Sequence, residues 1–415
     1  MTLNEGCAEA RSTADAVARR SYGKLVAFLA AHTHDVDAAE DALAESFTAA
    51  LADWPQKGCP DNPEAWLLTV ARRKFLDAVR GQRREAGSDA IDGIAEGLSA
   101  AWTEREFPDK RLGLLFACAH PSIDPGIRAP LMLQAVLGLD AARIASAFLI
   151  SPATMGQRLV RAKQKIRQAG IPLRIPEPEE LRERLRAVLD AIYAAFSEGW
   201  IDASGTDVAR RDLAEEAIYL CKLVTELLPG EPDAMGLLAL MLFAESRHRA
   251  RRDADGEFVP MGQQRTEEWN AAMIQEAEAL LRNASSLHML GRYQLEAAIQ
   301  SAHTARRMTG RANWSEVVEL YDALMAFSPS PVVALNRALA IAEKDGPVAG
   351  LAGLEEVAAD PRLGEYQPWW AARAELLART GNIEAARHAY DVAIGLERDE
   401  PVRRFLDRRR AALRG

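Results

Sequence analysis

Apolar residues recur along almost the whole chain at intervals of three and four, the spacing of one helix face, and alternating strand-like runs are scarce. The pattern predicts an all-α protein. Residues 139–167 are the most informative stretch. A short helix over 141–147 turns Ile144 and Ala145 inward, residues 148–151 break the pattern, and a second helix opens with Ser151 as N-cap and Pro152 in its first turn. In that second helix Met155, Leu159, Ala162 and Ile166 form one apolar face. Thr154, Gln157, Arg158, Arg161 and Lys165 form a separate polar stripe, about 100° round the helix. A helix anchored on one side and presenting amide and guanidinium groups on the other suits the DNA major groove, so the pair reads as a helix-turn-helix. Taken alone, the stripe also fits a solvated helix face.

Upstream, residues 21–31 predict a short apolar helix. A second helix over 35–55 has Leu43, Phe47, Ala50, Leu51 and Trp54 on its buried face and Pro55 as its stop. Asp37, Glu40, Asp41 and Glu45 crowd its first half. Carboxylates are favourable near a helix N-terminus, and they also make a docking surface for a basic partner; the sequence leaves both readings open. The polar loop 56–63 leads into a third helix with Asn62 as N-cap and Pro63 at its first position. Leu67, Val70, Ala71, Phe75 and Ala78 are its expected core. Arg72, Arg73, Lys74, Arg80, Arg83 and Arg84 form its exposed face, opposed by the single acid Asp77. With Trp66 at its mouth, this helix fits either single-stranded DNA, where a ring can support an unstacked base, or an ordinary solvated face over a core tryptophan.

Periodicity fades over 86–106, which is small, polar and acidic and reads as a linker. Helices at 107–119 and 127–137 then lead to the helix-turn-helix, and the proline-flanked 171–180 closes this part. The second half is helix after helix. Residues 375–396 have the small-residue, Gly and Tyr spacing of a tetratricopeptide-type hairpin, and 334–358 is a weaker echo; Gly346 and Gly381 sit one such repeat apart. Stacked helical repeats present a surface for peptides or partner proteins. The loop 251–264 contains Asp253, Asp255 and Gly256 but lacks the remaining ligands of a calcium loop.

Charge sharpens the division. The net charge of −9 hides 22 Lys+Arg against 21 Asp+Glu in residues 1–175 and 29 against 39 in the remainder. Within the first part the bases cluster, which matters more for nucleic acid than the total. The four cysteines, Cys7, Cys59, Cys118 and Cys221, are far apart and suggest neither disulfides nor a zinc knuckle. Cys118 and His120 lack a second ligand pair. No signal-peptide pattern and no apolar run of membrane length stands out, so a cytoplasmic protein without a membrane partner is expected. No cofactor, nucleophile–base pair or phosphate loop is indicated, and the chain does not read as an enzyme.

On these residues the stretch of about 15–172 resembles the extracytoplasmic-function type of bacterial sigma factor. The resemblance rests on AEDALAESFTAAL, DNPEAWLLTVARRKFLD and ISPATMGQRLVRAKQKIRQAGIP, in that order. The whole chain is similar to the subgroup with a long tetratricopeptide-like C-terminal extension, on SPVVALNRALAIA and YQLEAAI. The resemblance implies sigma region 2 over 1–85, a linker over 86–107, helix-turn-helix region 4 over 108–175 and a helical-repeat domain over 176–415. It implies core RNA polymerase and promoter DNA as partners, with a regulatory protein or peptide on the repeats. Asp37, Glu40, Asp41 and Glu45 would dock on polymerase. Lys57, Asp61, Asn62 and Trp66, followed by Arg72, Arg73, Lys74, Arg80, Arg83 and Arg84, would hold the −10 element. Ser151, Thr154, Gln157, Arg158, Arg161 and Lys165 would meet the −35 element. Ala153 and Gly156 depart from a well-filled recognition helix, and Gly156 costs about 1 kcal/mol relative to alanine. The rival reading is a one-component regulator, in which the helix-turn-helix binds an operator and the repeats sense a ligand.

Overall fold

The computed structural model describes residues 3–33, 35–86, 110–147, 150–201 and 208–413. The expected linker beyond Ala86, the start of the 107–119 helix and part of the 148–151 break lie outside them. The described residues are helical throughout, with one isolated bridge, Arg252 to Phe258, outside the helices. The chain forms two compact units that divide within the helix Val208–Leu227, after Leu223.

The first unit begins with α1, Leu3–Thr33, which is far longer than the apolar stretch 21–31. Its first half carries a weak apolar signal because it is anchored by small residues: Ala10, Ala14 and Val17 are buried at i, i+4 and i+7. α2 spans Val36–Lys57, capped by the Asp35 carboxylate, which accepts from the Ala38 N–H. Pro55 does not stop this helix. It lies in the last turn, where its missing N–H would have served the carbonyl of exposed Leu51, and the helix ends at Gly58, whose φ of 84° is accessible to glycine. The buried face is also rotated from expectation: Leu51 is exposed, while Ala39, Ala42 and Ser46 join Leu43, Ala50 and Trp54 inside. α3, Pro63–Ala86, follows with Asn62 accepting from the Ala65 N–H; it buries Leu67, Leu68, Ala71 and Phe75, whereas Ala78 is exposed.

α4, Arg111–Cys118, is buried along its length. α5, Pro125–Leu137, ends in left-handed Gly138. α6, Ala141–Ala147, and α7, Pro152–Gln168, pack against each other as the helix pair expected over 139–167. The side chain of Ser151 caps α7 by accepting from the Thr154 N–H, and the buried residues of α7 are Met155, Leu159, Ala162 and Ile166, the expected face. α8, Pro178–Ile201, and the first part of α9, Val208–Leu227, complete this unit instead of opening the C-terminal array expected from residue 176. α8 packs on α5 and α4, with Arg184 donating to the Phe116 carbonyl. Arg111 pairs with Glu216 and lies over the Tyr219 ring. These contacts join residues far apart in sequence, and no local pattern announces them.

The second unit is a succession of helices: α10 Pro232–Glu245, α11 Ala271–Ser286, α12 Arg292–Thr304, α13 Arg306–Thr309, α14 Trp314–Phe327, α15 Pro331–Asp345, α16 Pro347–Glu355, α17 Gln367–Arg379, α18 Ile383–Leu396 and α19 Glu400–Ala411. Neighbours pack as hairpins, most closely α10 with α11 and α12, α15 with α16, and α17 with α18. Gly346 and Gly381, with φ of 98° and 81°, occupy the turns of the α15–α16 and α17–α18 hairpins. The cores are local, for example Leu335, Leu354, Trp369 and Leu376 in one cluster and Ala374, Tyr390 and Leu406 in the next.

The 251–264 loop is part of this scaffold. The Asp253 carboxylate accepts from the N–H groups of Asp255 and Glu257, while the Glu257 carboxylate accepts from Arg404 and Arg408 of α19. Phe258 stands edge-on to Phe405, 5.4 Å between centroids. Thus the loop after α10 is tied to the last helix, and Asp253 and Glu257 are occupied by backbone and arginine respectively.

Behind the loop, Arg247 is buried and donates to the Phe243 carbonyl and, at 2.6 Å, to Gln300. Arg306 donates to the carbonyls of Met261, Gly262 and Gln264. Burial, reinforced by Arg247 and Arg306, pushes the imidazole of His303 down to about 4 from its ordinary 6.5. The unfolded chain therefore takes up a proton that the folded array refuses. Stability contributed by neutral His303 is complete above about pH 6.5 and is lost as pH falls towards 4, by on the order of 3 kcal/mol. Urea titrations at pH 7 and pH 5 should show this loss, and His303→Gln should flatten it. An unchanged slope in the variant would assign the acid sensitivity to other groups.

Candidate nucleic-acid interface

α7 presents its stripe outward because its opposite side is locked into the module. Ser151, Thr154, Gln157, Arg158, Arg161 and Lys165 are all exposed, so the structure brings the six expected −35 residues onto one accessible surface. The Ser151 and Thr154 hydroxyls are 2.8 Å apart, joined by a hydrogen bond that holds both at the helix start. Arg158, Arg161 and Lys165 also line a cleft of about 420 Å3 with Ser122, Asp124 and Ile127. The first turn of α5, whose N-cap Asp124 accepts from the Gly126 N–H, forms the other wall. Three cations beside a helix N-terminus are suited to phosphate, and the Asp124 carboxylate marks the side from which a phosphate would be repelled. Nothing lies within 4 Å of a Cβ added at Gly156, so packing does not require the glycine.

The α2–α3 surface is more closely tied. Lys57 pairs within its own helix with Asp53, 2.7 Å away, and Asn62 is engaged as the α3 cap. Asp61 is exposed. Trp66 is half-buried, its ring edge-on to buried Trp54 at 5.4 Å and 65°, so only part of it is free to meet a base. Arg72 is half-buried; Arg73 and Lys74 are exposed, and Lys74 reaches Glu45 across the helix pair at 3.2 Å. The side chains of Arg80, Arg83 and Arg84 lie outside the described residues.

The four acids of α2 do not form one open patch. Asp41 and Glu45 are exposed. Asp37 and Glu40 instead meet Lys163 of α7, at 2.7 and 3.1 Å. Burial holds the Glu40 carboxyl above the usual carboxylate range against the pull of Lys163. Burial opposes the charge of Lys163 too, but Asp37 and Glu40 outweigh it and hold the ammonium above its ordinary value. Lys163 lies off the polar stripe. Its spacing could have exposed it, because a residue four after Leu159 and three before Ile166 falls on the apolar face and needs a partner there.

Comparison with known proteins defines the class first. Residues 17–85 match sigma-70 region 2, which covers α2 and α3, and support a sigma-70 family factor. Residues 184–285 match a family of unknown function (DUF6596), beginning in α8 and ending in α11. The chain belongs to the same family as an uncharacterized protein of Rhizobium meliloti (strain 1021), to which it is 40% identical over 369 residues, 87% of this chain and 86% of that protein. No solved structure matches it. None of the helices in the described residues is long and apolar enough to cross a membrane.

Proposed function

We propose that this protein is a transcription initiation factor of the extracytoplasmic-function type, which binds core RNA polymerase and directs it to promoters with −35 and −10 elements. The observation that carries the reading is order: a sigma-70 region 2 match is followed by a capped, outward-facing basic helix of helix-turn-helix form. α2 offers carboxylates to polymerase, the 57–62 loop with Trp66 and α3 receives the opened −10 strand, and α7 reads the −35 duplex. The second unit, from residue 224 onward, supplies a tetratricopeptide-like regulatory part that takes a protein or peptide partner. The chain works in the cytoplasm and catalyses nothing by itself.

Run-off transcription with purified core polymerase on a promoter library tests the proposal. Specific transcripts that need the protein are the expected result. Absence of any transcript, together with tight duplex binding by the protein alone, would favour the one-component regulator instead.

Within this reading the two DNA surfaces differ in kind. Arg158→Ala should cost about 1–3 kcal/mol and relax one −35 position, as loss of a bidentate contact to guanine does, whereas Arg73→Ala should weaken binding evenly across sequences. Binding to a randomised −35 library separates the two; equal, sequence-independent losses would remove Arg158 from base readout.

A further inference from the structure

The contact between α2 and α7 has a second component that does not depend on charge. At Gly23 of α1 a Cβ would run into the backbone carbonyl of Val136 in α5, with the Arg111 side chain next nearest at 3.7 Å. One turn away in space, Tyr22 packs over left-handed Gly138, whose added Cβ would lie 3.1 Å from the Tyr22 ring. The region 2 helices and the helix-turn-helix module therefore meet backbone to backbone at Gly23 and Val136 and ring to backbone at Tyr22 and Gly138, and the meeting of α1 with α5 accompanies that of α2 with α7. There Lys163, its side chain only 10% exposed, takes Asp37 and Glu40, and Arg167 stands 3.6 Å from Asp35. The side chains of Asp37 and Glu40 are left 39% and 20% exposed.

Two of the four carboxylates assigned to polymerase docking are thus already satisfied by a cation from the back of the DNA-reading helix. The front of that helix remains open: Thr154, Gln157, Arg158, Arg161 and Lys165 are all exposed. The arrangement covers one function and spares the other. We propose that Lys163, seated by the Gly23–Val136 contact, is an internal competitor for the polymerase-docking face of α2, so that core polymerase binds only after α7 has been displaced from α2. This inference rests on the reading that α2 docks on polymerase.

A closed form that cannot bind lowers apparent affinity by the fraction of molecules that are open. Two variants open it by unrelated means. Lys163→Ala removes the cation, and Gly23→Leu wedges α1 from α5, where the atoms it meets belong to Val136 and Arg111 of the other module. Each should bind core polymerase about tenfold more tightly than the natural chain, on the view that roughly one molecule in ten is open. The free full-length protein treated with a zero-length carbodiimide should yield the Lys163–Asp37 or Lys163–Glu40 cross-link in mass spectra, and prior addition of core polymerase should abolish it.

Persistence of the cross-link in the polymerase complex would overturn the proposal. So would both variants binding polymerase no more tightly while the natural chain still directs transcription, an outcome that leaves the initiation-factor reading standing. If no form of the protein binds polymerase or supports transcripts, that reading falls and the competitor role falls with it.

Discussion

Gly236→Val is expected to destabilise the second unit by about 3 kcal/mol, at the upper end of the usual cost of overpacking a core. Gly236 lies on α10 where α12 begins, and a Cβ there would stand 2.5 Å from the amide nitrogen of Gln294 and 2.7 Å from its Cα. Both obstacles are backbone, so no rotamer change relieves them; the two helices must move apart. That movement also threatens the bond from the Tyr293 N–H to the Asp233 carboxylate, 2.8 Å, which serves a backbone N–H in the first turn of α12. Gly395→Ala is the control. It lies in α18 with nothing within 4 Å of an added Cβ, and should stabilise the same unit by up to about 1 kcal/mol through helix propensity. Because the chain has two units, hydrogen exchange at α10 and α12 amides is a cleaner measure than a single melting point. Native-like protection of α12 in the valine variant would show that the close approach is not required.

The same glycine illustrates what a single sequence discloses. Helical period identified most helices of both units, because amphipathic spacing is local and survives in each helix on its own. α7 is the best case: Met155, Leu159, Ala162 and Ile166 were expected inside and are inside. Features created by packing between distant segments were not legible. The bond from Arg184 to the Phe116 carbonyl ties α8 to the first unit and the pairing of Arg111 with Glu216 ties the first part of α9 to it, although the prolines around residue 175 look like a boundary. The outward stripe of α7 was legible as composition and spacing, whereas the partners of Lys163 lie more than a hundred residues upstream on another helix. Pro55 misled for the opposite reason. Proline stops a helix from its interior, but here it sits at a helix end, where an absent N–H matters least.

The sharpest functional test uses Asp41 and Glu45, the two acids proposed for docking that α7 leaves uncovered. Asp41→Lys combined with Glu45→Lys should reduce binding to core polymerase about a hundredfold, since each reversal replaces an attraction by a repulsion and two steps of about 1.4 kcal/mol compound to that factor. Both side chains are exposed, and Glu45 gives up only a surface ion pair to Lys74, so the fold should be nearly unaffected. The stripe on α7 is untouched, and binding of the variant to −35 duplex DNA should equal that of the natural chain. Such a split would place polymerase docking on α2 and DNA reading on α7 as separable surfaces. Raising the salt should narrow the difference between variant and natural chain, as expected when exposed charges guide the encounter. Normal run-off transcription from the doubly reversed protein would remove α2 from the polymerase interface, whatever α7 does with DNA.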